Sequence, residues 1–261
     1  MKAMIIQHHA ATFISMMAIY FSVLNPTQAE KVVLPAEFTD HDAPGAGTPY
    51  PFDPFFFGEE GLRVQQLFEG TSFPEHEEGV LIQSVGFRLS GSPTERQNSF
   101  DVVFPKVEVH LSTSPKSMAN MSNRFANNVG VDESIVYDAP LRWQAEFVRG
   151  PVQSMSLIIP FDEPFRYLPS QGSLLLDIRV KGQKKAGLVD WASFSGWSIV
   201  RGHLTTAEVG EFVLGSGLIT QFSFQAIPEP ATVGLASLGL LMVIATLSRG
   251  ESGSDLMECK R

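Results

Sequence analysis

Apolar and polar residues alternate at every second position along much of the chain. In LLLDIRVK, residues 174–181, Leu174, Leu176, Ile178 and Val180 share one side, and Asp177, Arg179 and Lys181 share the other. In KVEVHLST, residues 106–113, Val107, Val109 and Leu111 oppose Glu108, His110 and Ser112. In GLITQFSFQA, residues 217–226, Leu218, Phe222 and Phe224 oppose Gln221, Ser223 and Gln225. A period of two sends successive side chains to opposite faces of a strand, so each run predicts a strand with one face in a core and one in water. Similar runs lie near residues 85–89, 155–161 and 191–200. Sheets wetted on one face are antiparallel, and several such strands joined by turn-rich loops pack as two sheets. The predicted fold is all-β, an antiparallel, jelly-roll-like β-sandwich. One short helix is expected at residues 117–128, SMANMSNRFANN, where Met118, Met121 and Phe125 make an apolar stripe.

The pattern changes at both ends. Residues 10–24 form an uncharged apolar run behind Lys2, short for a bilayer crossing. Thr27 and Ala29 then occupy the −3 and −1 positions of a cut before Glu30, where signal peptidase requires small side chains. Residues 1–29 therefore read as a secretory signal peptide. His8 and His9 belong to it and are not candidate ligands. Residues 231–248 form a second uncharged run, long enough to cross a membrane as a helix. Pro228 and Pro230 fix where that helix can begin. Arg249, Lys260 and Arg261 follow it, whereas residues 211–230 hold no Lys or Arg, so the tail is expected in the cytoplasm and the domain outside.

Pro228-Glu229-Pro230, the apolar helix opening on Ala231-Thr232 and the basic Arg249 together resemble a PEP-CTERM sorting signal. Family tails end in a tight Arg cluster, which Glu251, Asp255 and Glu258 dilute here. The resemblance implies export by a Gram-negative bacterium, cleavage near the motif by an exosortase-type membrane protease, and a destination at the cell surface or in extracellular polymer. The blocks LRVQQLFEGTSF, GVLIQSVGFRLSGS, HLSTSP, NRFANNVGVDESIVY and PFRYLPSQGSLLLDIRV are similar in order to a group of exported PEP-CTERM proteins. That second resemblance implies one contiguous domain and transfers no catalytic residue. The expected organisation is a signal peptide at 1–29, a Pro/Gly-rich lead-in at 30–58, a sandwich at 59–227, the sorting motif and helix at 228–249, and a tail at 250–261.

Composition narrows the function. Hydrophobic residues at 44% and charged residues at 18% are those of a globular protein. The net charge of −9 belongs to the central region, because the terminal segments carry equal numbers of acids and bases. An acidic surface repels nucleic-acid phosphates and anionic lipid. Cys259 is the only cysteine, so disulfides, thiolate catalysis and cysteine metal sites are excluded from the domain.

Candidate chemistry is sparse. His76 lies among Glu75, Glu77 and Glu78, which suits metal binding or proton transfer but equally a solvated loop. His110 is expected on the wet face of its strand. Asn127, Asn128, Asp132 and Glu133, with Gly130 for a sharp turn, form an oxygen-rich loop suited to calcium or simply to turning. Trp191, Phe194 and Trp197 suit sugar stacking, while the shared parity of Trp191 and Trp197 also fits two core aromatics. Nucleophile-elbow, zincin, P-loop and dinucleotide motifs are missing, and no carboxylate pair stands out. The leading expectation is a non-catalytic surface or extracellular-matrix protein. The alternatives are a glycan-binding module, with or without calcium, and a glycan-active enzyme. Expected partners are signal peptidase, the exosortase-type protease and extracellular polysaccharide.

Overall fold

The computed structural model describes residues 29–43, 47–48, 50–52, 61–91, 100–146, 153–182 and 189–227, apart from the side chains of 193–198 and 213–214. Thr27, Pro228, Glu229, Pro230 and Arg249, with residues 1–28 of the expected signal peptide and the expected apolar helix, lie outside the described residues, whereas Ala29 is described and exposed. Among the described residues no helix is long and apolar enough to cross a membrane.

Residues Ala29–Ile227 form one compact unit. Its strands are β1 Glu30–Leu34, β2 Leu62–Phe68, β3 Val80–Phe87, β4 Phe100–Ser114, β5 Ser134–Ala145, β6 Leu157–Tyr167, β7 Ser173–Lys181, β8 Trp191–Gly202, β9 Glu211–Leu218 and β10 Thr220–Ala226. They build a four-stranded sheet, β1-β10-β3-β6, and a six-stranded sheet, β5-β4-β7-β2-β8-β9. Every pairing between them is antiparallel. Helix among the described residues is confined to short 3-10 turns. The protein is thus all-β and β-sandwich-like. The pairings β4 with β5, β3 with β6 and β2 with β7 are nested, and the β8–β9 hairpin extends the larger sheet beyond β2.

Alternation explains the core. Leu62, Val64 and Phe68 of β2, Val107, Val109 and Leu111 of β4, and Leu174, Leu176, Ile178 and Val180 of β7 all point inward. They meet Val80, Ile82 and Phe87 of β3 and Phe222 and Phe224 of β10 from the other sheet. Phe68 and Phe222 touch edge to face, their centroids 5.0 Å apart, the geometry that ring quadrupoles favour. Complete burial of each such ring contributes about 1.5–3 kcal/mol. The run at 217–226 is divided between two strands: Leu218 ends β9 in the larger sheet and Thr220 opens β10 in the smaller. Gln66 bonds both the N–H and the C=O of Leu218 at this crossing, taking the place of a neighbouring strand.

Two segments differ from expectation. Part of the expected lead-in is structural, because β1 is a strand of the smaller sheet and Tyr50 and Phe52 lie in the core. The expected helix is two 3-10 turns, Met118–Asn120 and Phe125–Asn128. Its apolar stripe nonetheless packs, with Met121 and Phe125 covering Leu67, Leu175 and Val200 on the outer side of the six-stranded sheet. Local polar bonds compete with a continuous helix: Asn128 Oδ1 accepts from Ser122 N at 2.8 Å, and Ser122 Oγ accepts from Arg124 N at 3.1 Å.

Candidate functional site

The covered outer side of the six-stranded sheet carries a row of charge. Antiparallel register sets Arg63 of β2 opposite Arg179 of β7, and Glu108 of β4 opposite Arg179, with Asp177 one step along between Gln65 and His110. Arg63 Nε donates to both Asp177 oxygens at 3.1 Å, and its Nη2 donates to Oδ2 at 2.5 Å. Gln65 Nε2 adds a bond to the same oxygen at 2.9 Å. Burial on its own raises the Asp177 carboxyl, but Arg63 and then Arg179 bring it below the ordinary aspartate value. His110 is 6% exposed, with Nδ1 3.1 Å from Glu133 Oε1 and Nε2 3.4 Å from Glu108 Oε2. Lys106 continues the row to Glu108 at 2.8 Å and Asp138 at 3.3 Å.

Two expectations are corrected here. Asp177, expected in water, is 1% exposed, and His110, expected at the surface, is buried. The cause is the cover: the Phe125 ring lies 4.4 Å from the Arg63 guanidinium, and Ala207 O accepts from Arg63 Nη1 at 3.0 Å. Each carboxylate of the row faces a cation or His110. The row cross-links β5, β4, β7 and β2 and leaves no carboxylate poised as an isolated base.

The oxygen-rich loop does not converge on one point. Asn128 is wholly buried and bonds Ser122 N, Ser122 O and Gln65 Oε1. Asp132 accepts from Thr113 N at 2.7 Å, and Glu133 faces His110. Asn127 Nδ2 donates to Ser122 Oγ at 3.2 Å. Among the described residues no group of three or more His, Cys, Asp or Glu side chains is placed to hold a metal ion. Trp191 is half-buried at the start of β8, opposite Leu218, while the side chains of Phe194 and Trp197 lie outside the described ones.

His76 is half-buried, in edge contact with Phe224, and its Nε2 is buried without a partner among the described residues. A cleft of about 600 Å³ runs past Glu75, His76, Glu77, Pro169 and Ser170. It lies at the end of the smaller sheet where β10 finishes, and Ile227 N donates to Gly79 O at 3.1 Å there.

Sequence reasoning missed a second ionic node. Arg88 and Asp190 are each 1% exposed and bonded at 2.8 Å. Burial raises the Asp190 carboxyl, Arg88 opposes this, and Asp42 adds to it. Arg88 also donates to His41 O, so the node fastens the segment after β1 to the ends of β3 and the β7–β8 connection. Arg88 in GFRLSG and Asp190 in LVDWAS each interrupt an apolar stretch, which is the only sequence signal they give.

No protein-family model matches the chain, and comparison with curated proteins and with solved structures found no match.

Proposed function

We propose that this is an exported, non-catalytic surface or extracellular-matrix protein. Its domain, jelly-roll-like in its nested strand pairing, is delivered by the N-terminal export signal and the PEP-CTERM-like C-terminal signal. The observation that carries the reading is the pairing of β1 with β10, the first and last strands of the compact unit Ala29–Ile227. Glu30 opens β1 directly after the expected signal-peptidase cut and lies opposite Phe224, and β10 closes at Ala226, just ahead of Pro228. Both expected cuts thus fall outside the paired strands, and a processed chain keeps every strand. The compensated carboxylates of the two ionic nodes favour a structural role over acid–base chemistry. Signal peptidase and an exosortase-type protease are the processing partners, and extracellular polysaccharide is the expected surrounding.

Intact mass spectrometry of protein from the native host tests this. The expected species begins at Glu30 and ends near Pro228. A dominant species that retains Cys259 contradicts processing at the sorting motif and leaves a membrane-anchored protein instead.

A further inference from the structure

We infer that a cleft on the outer face of the four-stranded sheet binds an acidic sugar, the uronate residue of a polysaccharide. Its floor is the β1–β10 pair, where Val33 lies opposite Gln221, and its walls are the turn at Ala36–Thr39 and the segment 153–155 that leads into β6. The cleft measures about 420 Å³, within the range of small-ligand sites. Among the described residues no Asp or Glu lines it, and the carboxylate behind its wall is Asp42, bonded to Gln153 N at 3.1 Å.

Two cations border the cleft. Lys31 is exposed and makes no ion pair among the described residues. Arg88 is buried at its base, with Nε on Asp190 and Nη2 on His41 O, which leaves Nη1 without a partner among the described residues. Asp190 and Asp42, whose Oδ1 lies 3.9 Å from Arg88 Nε, together offset the Arg88 charge, so Lys31 supplies the attraction and Arg88 only a fixed donor. A carboxylate between them gains charge-assisted hydrogen bonds. The remaining groups favour a sugar over a bare anion. The Gln221 amide makes no hydrogen bond among the described residues and matches a ring hydroxyl as donor and acceptor. Val33 and Met155 give the C–H face of a pyranose an apolar wall.

The inference rests on the proposed function only in its choice of a polysaccharide. Binding is read on the purified full-length chain in detergent, and end processing is read by mass, so each can fail without the other. Calorimetry with tetragalacturonate at low salt is the direct experiment. The inference expects saturable binding that weakens about tenfold in Lys31→Ala, the loss of one charge-assisted contact, and recovers in Lys31→Arg. Gln221→Ala is expected to weaken it severalfold, and added salt to weaken it further. Both residues lie on the open sheet face, so these variants keep the core intact. A neutral maltotetraose of equal length should give no binding. Absence of tetragalacturonate binding, or binding that both Lys31→Ala and Gln221→Ala leave unchanged, overturns the site. Acetate or sulfate binding as tightly as the uronate overturns the sugar assignment.

Discussion

Arg63 and Asp177 face each other across β2 and β7 through three hydrogen bonds, and both are buried although they lie on the outward side of the sheet. The loop carrying Phe125 and Asn128 closes over them, so the pair is held in a low-dielectric layer between sheet and cover. Removing one partner strands the other. Asp177→Ala is expected to lower the unfolding free energy by about 3–5 kcal/mol, measured by urea titration. Joint replacement of Arg63 and Asp177 by Met and Leu should recover most of that loss. If the double variant is less stable than Asp177→Ala, the pair contributes more than mutual compensation.

Acid weakens the fold through the same carboxyl. The folded pKa of Asp177 lies below its ordinary value, because Arg63 outweighs the burial that would raise it. A carboxyl lowered in the folded state stabilises above its unfolded pKa of about 3.9, and that contribution is lost as pH falls through the folded value. Asp190 has the opposite sign. Its folded value is raised, so its contribution is present below the unfolded pKa and lost as pH rises through the folded one. Urea midpoints taken from pH 6 downward should therefore fall below about pH 4 in the wild type, with a shallower fall in Asp177→Asn. An acid limb equally steep in Asp177→Asn removes Asp177 as its source.

Much of this arrangement is visible in residue order, and its limits have physical causes. Alternation places the inward residues of β4 and β7 correctly because packing between two sheets imposes a strict period of two. It fails at Asp177 and His110 because a single strand does not reveal whether its polar face meets water or another layer. The signal is nevertheless present: Leu174, Leu175 and Leu176 are consecutive, and Gln66 is followed by Leu67. An apolar residue out of phase marks where the outer face is covered, here by Met121 and Phe125. Arg88 and Asp190 are far apart in sequence and meet only through the folded loops, so no local pattern joins them.

Gly79 marks the place where the chain leaves the domain. Its φ is +86°, and a Cβ there would lie 2.5 Å from the carbonyl oxygen of Tyr167. Its own carbonyl accepts from Ile227 N just after β10. Gly79→Ala is expected to cost about 1–3 kcal/mol through backbone strain. Hydrogen exchange should show increased opening at β10 and at the Ile227 amide. An unchanged melting temperature would mean that the turn relaxes without disturbing β10.

Asn128 tests the oxygen-rich loop. Its amide is wholly buried and bonds both main-chain groups of Ser122 as well as Gln65. Asn128→Ala leaves these groups unpaired, a loss of about 1–3 kcal/mol. Because Asn128, Asp132 and Glu133 each already hold a partner and point to different neighbours, calcium at millimolar levels should leave the wild-type melting temperature unchanged relative to chelator. A rise of several degrees with calcium would show that the loop reorganises into a cation site.

The position of β10 predicts an asymmetry between the two ends of the domain. β10 lies between β1 and β3, and it places Phe222 and Phe224, both 0% exposed, in the core. β1 is an edge strand of five residues that pairs with β10 alone. Truncation after Ile219 therefore removes the one strand that, among the described residues, links β1 to the sheet, together with two core rings, each of which costs about 3–5 kcal/mol when cut to Ala. That sum reaches the whole stability of an ordinary domain, so cooperative unfolding should vanish. Deletion of residues 30–34 leaves β10 as the new edge and should lower the urea midpoint while keeping a single transition. Circular dichroism across a urea series separates the two. If the Ile219 truncation unfolds cooperatively, the smaller sheet closes without its penultimate strand. On the proposed export route the consequence is an order of events: the sheet is complete only after Ala226 has crossed the membrane, when only the C-terminal signal remains to be processed.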